Sequence, residues 1–354
     1  PLTVLAWEGP QARAYLVRLA RANLRPAKLI LMVDDPVAER AGWSPGVGNP
    51  LYSRWAERRQ DKTRNHHPYA IRKNHPALMT AIGRAMGDVV EDPQGFFTQM
   101  YDGFSYDDSA RSVTRIAAGS YKDPSVVEAL RTHATPTVLF TGGGIIPPAV
   151  FEVPSIRLIH VHTGFLPHVR GADVLLWSLL ERGRPGVSAF FMTPGLDDGD
   201  VLAARELETM QIPLPPGDRI DDDTLYRAVF SFVDPLIRAE LLVADVIEPA
   251  DDLESLAASP QDLDEGITYH FMHPTVRSRA LSWLFPTGPP RADEKQLAAK
   301  GPTPADYARY YEKTSGLAPL RFSVDALRAK EPLRRRSIQN RQGDYTQLLK
   351  DPSK

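Results

Sequence analysis

The repeated alternation of short apolar runs with segments of helical periodicity constrains the fold of this chain most. Leu2–Trp7 and Lys28–Val33 are apolar runs of strand length, and residues 10–23 between them place alanine and leucine close to one helical face. A strand, a helix and a strand within about 35 residues form the pattern of a βαβ unit. Such a unit predicts a parallel sheet.

The same alternation resumes after Asp123, which is suited to be an N-cap because Pro124 would occupy the first helical position. The pattern predicts helices over residues 124–133, 171–182 and 223–246, and strands over residues 137–141, 156–162 and 187–193. We therefore predict an α/β fold, Rossmann-like and doubly wound, with a mostly parallel sheet and an appended C-terminal lobe or tail.

The domain organisation follows from where this alternation is present. Residues 1–250 are predicted to form the main domain, with an insertion at about 36–110, and residues 251–354 a C-terminal extension. The insertion is rich in basic and aromatic residues, so two interpretations stay open: it lines a substrate pocket, or it packs on the surface. The basic run at residues 334–336 is predicted to be a solvated face.

Composition excludes several classes of function. The 354 residues carry a formal net charge of -2 and no cysteine, which excludes disulfides, thiolate metal sites and cysteine nucleophiles. The dispersed charge predicts no nucleic-acid partner. Because no apolar run approaches the ~20 residues of a membrane helix and no signal peptide is visible, we expect no membrane partner and a cytoplasmic location. A homodimer is compatible with the sequence.

The stretch 156–202 contains the strongest candidates for chemistry. His160 and His162 are two residues apart on a predicted strand, so their side chains point to the same side. Asp197 follows the next predicted strand, and the two strand ends are expected to meet at one sheet edge. An imidazole beside a carboxylate suits proton transfer. From spacing alone, structural histidines and a surface acidic loop are an equally good interpretation.

This stretch resembles the core of the folate-dependent formyltransferase family, which includes glycinamide ribonucleotide formyltransferase, methionyl-tRNA formyltransferase and the sugar N-formyltransferases. The family pattern is Asn-x-His, a Leu-Leu-Pro element, Arg-Gly and, further on, Asp-x-Gly. His162 stands at the motif histidine, residues 165–167 at Leu-Leu-Pro, residues 170–171 at Arg-Gly, and Asp197 at the motif aspartate. The resemblance is clear over residues 110–270 and loose over the first strand and helix.

The resemblance implies transfer of a formyl group from 10-formyltetrahydrofolate to an amine of a small molecule such as a nucleotide-linked amino sugar. His160 and His162 would donate hydrogen bonds to the developing oxyanion, while Asp197 would orient His162 and raise its pKa. The resemblance implies no metal. The predicted folate-binding residues are Gly142, Gly143, Gly144, Ile145, Ile146 and Asp198. The three glycines are equally well explained as a tight turn after a strand.

One position departs from the family, because His160 stands where the motif has asparagine. In the family that amide helps to hold the formyl oxygen, and an imidazole N–H can do the same. Three outcomes stay open: an active transferase, a changed chemistry such as formyl hydrolysis, or lost or metal-dependent catalysis. Two imidazoles with Asp197 would suit a metal, and a non-catalytic folate-binding relative is the remaining alternative.

The acceptor is constrained only loosely. Methionyl-tRNA is a poor candidate because no strongly basic domain follows residue 285. Arg170 is expected either to hold the loop around Pro167 or to contact an anionic substrate. Aromatic residues of the insertion could stack on a base or sugar or belong to the core: Phe96, Phe97, Tyr101, Phe104 and Tyr106.

Overall fold

A seven-stranded sheet in the order β3-β2-β1-β4-β5-β7-β8 lies at the centre of the protein, as shown by a computed structural model. The structure describes residues 1–35, 49–144, 146–208, 210–214 and 220–286. The strands of this sheet are β1 Leu2–Trp7, β2 Lys28–Val33, β3 Val113–Ala117, β4 Thr137–Phe140, β5 Arg157–His162, β7 Gly186–Phe191 and β8 Val201–Glu206. A second sheet pairs β6 Val169–Gly171 with β9 Ile267–Tyr269.

Strands β1 to β5 of the large sheet are parallel, and β7 and β8 are antiparallel to their neighbours. The predicted mostly parallel, doubly wound sheet is therefore confirmed. The antiparallel direction of β7 was not predicted, and it changes how the candidate site is assembled: β7 ends beside the beginning of β5, with Phe191 opposite Ile159.

Helices cover both faces of the sheet. They are α1 Pro10–Arg21, α2 Pro50–Arg64, α3 His66–Asn74, α4 Pro76–Ala85, α5 Pro93–Tyr101, α6 Tyr106–Ser109, α7 Pro124–His133, α8 Pro148–Phe151, α9 Val174–Arg182, α10 Asp222–Ala228, α11 Asp234–Leu241 and α12 Pro274–Leu284. Asp123 caps α7 as predicted, because its side chain accepts a hydrogen bond from the amide of Ser125. The predicted long helix over 223–246 is interrupted by π-helical turns at Val229–Val233 and Leu242–Ile247.

The core is built from the apolar runs that predicted the strands. Leu5, Ile30 and Phe140 project from the sheet onto Val126 and Leu130 of α7, and all five are buried. On the opposite face α1 packs against α11. Fully burying an aliphatic or aromatic side chain contributes about 1.5–3 kcal/mol, so these two layers hold the carboxyl ends of the parallel strands in fixed positions.

The described part of the insertion, residues 49–110, is helical and joins the core through α5. Phe97 and Tyr101 meet the ring of Phe232 at centroid distances of 5.2 and 5.6 Å. Phe96 and Tyr106 are also buried, so these rings belong to the core instead of offering a stacking surface. Apolar packing explains this outcome, because such rings bury a large area.

The described residues beyond 250 pack onto the main body, since β9 pairs with β6 and α12 contacts α9. All described residues belong to one compact unit, Pro1–Gly301. Residues 287–354, with their basic run, lie outside the described residues. Within the described ranges, no helix combines the length and apolarity required to traverse a bilayer.

Candidate active site

His160 and His162 are the last alternate residues of β5 on one face of the sheet. His160 lies between the rings of Phe140 and Phe190, at centroid distances of 5.5 and 5.7 Å. His162 also contacts Phe190, at 6.2 Å. Because both imidazoles project in the predicted direction, the strand brings two titratable groups to one aromatic-walled corner.

The ring of His162 is held from both sides. Its Nε2 atom lies 2.9 Å from the carbonyl oxygen of Val169, and its Nδ1 atom lies 3.6 Å from Oδ2 of Asp197. A carbonyl only accepts, so Nε2 carries the proton and donates it to Val169. In the neutral ring Nδ1 then presents a lone pair toward the carboxylate, which makes a proton at that atom favourable whenever one is available.

Burial and charge compete over the protonation of His162. The side chain is 3% exposed, and this burial, together with the charge of Arg238, lowers its pKa below the ordinary value of 6.5. Asp197 acts in the opposite, predicted direction. Asp197 therefore raises the pKa of His162 as expected, but desolvation outweighs the carboxylate and the net shift is downward.

The part of the chain that places Asp197 near His162 differs from the predicted one. Because β7 is antiparallel, it ends near Leu158, whose carbonyl accepts a hydrogen bond from Met192, and not near the end of β5. The loop 192–200 then runs back toward the carboxyl end of β5. Four strand residues separate Leu158 from His162, a span of about 13 Å, so the loop and not the strand end positions the carboxylate.

Three contacts fix the loop that carries Asp197. Its Oδ2 atom accepts a hydrogen bond of 2.8 Å from the amide of Gly171. Gln261 donates to the carbonyls of Asp197 and Gly199, at 3.1 and 2.5 Å. Gly171 has a φ of 106°, and a Cβ there would lie 2.0 Å from the Tyr269 carbonyl oxygen. The Arg-Gly element is thus a backbone requirement at its glycine.

His160 is oriented by the backbone of the neighbouring strand. Its Nδ1 atom lies 3.2 Å from the carbonyl oxygen of Phe140, so Nδ1 carries the proton in the neutral ring. Burial among aromatic rings and the charge of Arg238 lower the pKa of His160 to about 4, although Asp197 opposes this shift. At neutral pH the ring is uncharged.

A buried ion pair lies beneath the two histidines. Arg238 donates from Nε to Asp234 at 2.6 Å and from Nη1 to the carbonyl of Val161, between the two histidines. Thr163, directly after His162, donates to Asp234 at 2.5 Å. Asp234 is fully buried. The pair therefore fixes the backbone on both sides of His162, which sequence spacing alone did not indicate.

Removing one partner of this pair should be costly. We expect Arg238→Met to lower the free energy of unfolding by about 3–5 kcal/mol, because Asp234 would stay buried without a counter-charge. The double variant Arg238→Met/Asp234→Leu should recover much of that loss. Urea unfolding of the three proteins measures both values. Equal stability of Arg238→Met and wild type would show that the pair does not stabilise this region.

Two roles were considered for Arg170, holding the loop around Pro167 or contacting an anionic substrate, and its contacts agree with the first. Its guanidinium donates to the carbonyls of Pro167, Leu263 and Gly266, at 3.2, 3.0 and 3.3 Å. The residue is 7% exposed. Because these carbonyls lie on two separate segments, Arg170 joins the loop after His162 to the segment that precedes β9.

A cavity of about 560 Å3 lies at the beginning of β5 and the end of β7, and neither histidine nor Asp197 lines it. This volume lies within the range of small-molecule sites. Its lining combines apolar side chains with Thr193, Asp200 and Arg157. The remaining lining residues include Val150, Phe151, Ile156, Leu158, Met192 and Pro194. Among them, only residues of the loop around Asp197 were indicated by sequence.

None of the predicted folate-binding residues lines this cavity. Gly142 packs on Tyr121, whose hydroxyl would lie 1.9 Å from an added Cβ, and Gly144 has a φ of 95°. Glycine is therefore required at residue 142 by a close neighbour and at residue 144 by the backbone conformation of the turn; a Cβ at Gly143 would meet nothing within 4 Å. Ile146 is buried in the core on the α7 side. Asp198 accepts a hydrogen bond from Thr193, and Ile145 lies outside the described residues.

The geometry does not favour the metal-dependent alternative. Among the described residues, no three histidine, aspartate or glutamate side chains are arranged to hold a metal ion. His160 and His162 each use one ring nitrogen on a backbone carbonyl. What the arrangement offers is an imidazole–carboxylate pair and a second, neutral imidazole on the same face of β5.

Part of this chain is similar in sequence to known formyltransferases. Residues 99–212 match the formyl transferase family. Methionyl-tRNA formyltransferase of Syntrophus aciditrophicus is 34% identical over 137 residues, covering 32% of this chain and 42% of that protein. The same enzyme of a Synechococcus species is 32% identical over 149 residues, covering 42% of this chain and 44% of that protein.

The chain thus spans less than half the length of these curated relatives. Among solved structures, a Shewanella sugar N-formyltransferase is 12% identical with a TM-score of 0.38, covering 79% of this chain and 85% of that one. The matched segment holds His160, His162 and Asp197 together with the strands that carry them. The similarity to the formyl transferase family thus extends over residues 99–212, about a third of the chain.

Proposed function

We propose that this protein transfers a formyl group from 10-formyltetrahydrofolate to an amine of a small molecule such as a nucleotide-linked amino sugar. The observation that carries the proposal is the approach of His162 to Asp197, at 3.6 Å, with the imidazole of His160 on the same face of β5. The family match supports the reaction type, and the net charge of -2 supports a small acceptor over a nucleic acid.

The cavity fits the donor in size and chemistry. Phe151, Leu158 and Met192 offer apolar walls to a flat heteroaromatic ring. Arg157 lies at the cavity with its guanidinium 4.2 Å from the ring of Phe191, where it offers positive charge to the carboxylates of a folate. The donor supplies the activated formyl group, and the protein supplies orientation, charge and proton transfer.

His162 is the group that stabilises negative charge on the formyl oxygen. Its Nε2–H is bonded to the Val169 carbonyl, and a Cβ at Gly164 would come within 2.5 Å of Nε2. Glycine at residue 164 therefore leaves room for this N–H and its bond to Val169. A charged oxygen is a stronger acceptor than a neutral carbonyl, so the donor bond shifts from Val169 to the oxyanion. Asp197 then stabilises the positive charge that develops on the ring.

Binding of a reduced folate is the first test. At a hundredfold excess over its dissociation constant, 5-formyltetrahydrofolate should stabilise the protein by about 2.7 kcal/mol, measured as a rise in Tm. Ala258→Phe, which fills the cavity, should abolish the rise. Ala257→Phe is the matched control, because Ala257 lines a different surface pocket. A wild-type protein whose Tm does not respond would contradict the donor assignment.

The acceptor is identified by turnover. The protein is incubated with 10-formyltetrahydrofolate and, in parallel, nucleotide-linked amino sugars, methionyl-tRNA or no amine. We expect formylated amino sugar. Formylation of methionyl-tRNA alone would make the acceptor class wrong, and formate released without an amine would indicate a hydrolase.

A further inference from the structure

The two histidines are held in opposite tautomers by the backbone. Nδ1 of His160 faces the Phe140 carbonyl and Nε2 of His162 faces the Val169 carbonyl, at 3.2 and 2.9 Å. Since carbonyl oxygens only accept, each of these nitrogens carries the proton of its neutral ring. The lone pair is therefore on Nε2 in His160 and on Nδ1 in His162.

Only one of these lone pairs is available to a substrate. Nδ1 of His162 faces Asp197, and the residue is 3% exposed. His160 is half-buried and keeps contact with solvent. Within the described part of the chain, its Nε2 atom has no hydrogen-bond partner. The Asp197 oxygen that faces His162 is Oδ2, and this atom also accepts a hydrogen bond from the amide of Gly171.

We propose that Nε2 of His160 accepts the proton of the attacking amine, a role that the asparagine of the family motif could not perform. This inference rests on the proposed formyl transfer. It makes His160 a catalytic base instead of the oxyanion donor that the resemblance implied, because a neutral ring protonated on Nδ1 has no N–H to offer at Nε2.

The proton balance of the step is closed. The amine nitrogen forms a bond to the formyl carbon, and the carbonyl π electrons move to oxygen. One N–H proton passes to Nε2 of His160, which becomes an imidazolium. When the carbonyl re-forms, the bond from carbon to N10 of the folate breaks and N10 takes the proton from His160. The products are the formamide and tetrahydrofolate, and His160 is neutral again.

The charged surroundings of His160 suit such a transient proton. Desolvation by burial and the charge of Arg238 from α11 disfavour the imidazolium, while Asp197 favours it. A positive charge on His162 would also disfavour the imidazolium of His160, but more weakly than Arg238 does. The ring therefore stays in its base form at neutral pH, and the imidazolium, once formed, is a strong acid that returns its proton readily to the leaving nitrogen.

The tautomers are measured directly by long-range proton–nitrogen correlation spectra of the histidine-labelled protein, with His160→Asn to assign the signals. At pH 7 we expect His160 to carry its proton on Nδ1 and His162 on Nε2. His160 should also remain neutral at pH 5.5, where a histidine of ordinary pKa near 6.5 is mostly charged. A proton on Nε2 of His160, or a charged ring at pH 7, would overturn the proposal.

Kinetics test the role itself, with hydroxylamine as the amine and formohydroxamate as the product. His160→Asn restores the family residue, and we expect it to lower kcat by ~10²–10⁴, the usual contribution of a general base. Added imidazole should restore turnover to His160→Gly. Unchanged kcat in His160→Asn would refute the base. No formohydroxamate from wild type, together with no product in the acceptor screen, would instead reject the transferase function.

Discussion

Replacement of Asp197 by asparagine is expected to lower kcat for formyl transfer by ~10²–10⁴. The carboxylate lies 3.6 Å from Nδ1 of His162, and it raises the pKa of this ring whereas burial lowers it. An amide has no charge to stabilise an imidazolium, so the pKa of His162 should fall further and the ring should be a poorer partner for the oxyanion.

The substitution is conservative for the backbone, which makes the result interpretable. Asp197 has a φ of 52°, a left-handed conformation that asparagine tolerates and most other residues do not. The amide oxygen of asparagine can also keep the hydrogen bond from Gly171. Alanine would remove this bond and add strain, so a loss of activity in Asp197→Ala would have two causes.

Asp92→Asn provides a matched control. Asp92 also has a left-handed φ, of 46°, and its side chain caps α5 by accepting the amide of Gly95. We expect both variants to retain the Tm of wild type and only Asp197→Asn to lose turnover. Wild-type kcat in Asp197→Asn would remove the carboxylate from the proposed mechanism, whatever the folate binding shows.

The fold was predictable where local pattern and tertiary environment agree. Lys28–Val33 is a strand with the predicted bounds, since five of its six residues are buried on both faces of a parallel sheet. β8 was missed because Val201–Glu206 is a mostly half-buried edge strand whose apolar run is only four residues long and is followed at once by Arg205 and Glu206. Edge strands carry the weakest hydrophobic pattern and the fewest constraints on side-chain type.

The sequence indicated which residues belong to the candidate site better than it indicated how the fold brings them together. The spacing of His160 and His162 on one strand face is a property of any strand, and the structure places them so. The route of Asp197 depends on the direction of β7, which no single strand encodes. The tautomers depend on the carbonyls of Phe140 and Val169, which become neighbours of the imidazoles only after the sheet and the following loop have formed.

The hydrogen bond to the Val169 carbonyl also determines what we expect when His162 is replaced. His162→Gln keeps an N–H that can donate to the Val169 carbonyl, whereas His162→Ala leaves this buried acceptor unsatisfied, at a cost of about 1–3 kcal/mol. We expect His162→Ala to lose ~10²–10³ in kcat, the usual effect of removing one oxyanion donor. His162→Gln should also lose turnover, because an amide cannot take up the positive charge that Asp197 stabilises on the ring. Only the alanine variant should also show the loss of stability in urea unfolding.

His168→Gln is the matched control for this pair. His168 lies in the same loop, and its Nδ1 atom contacts the Glu265 carbonyl at 3.2 Å, so it shares the backbone-bonded imidazole without facing Asp197. Its replacement should leave kcat close to wild type. If His162→Gln also turned over at the wild-type rate, the bond to Val169 would be the whole role of that ring, and charge stabilisation would have to come from elsewhere in the site.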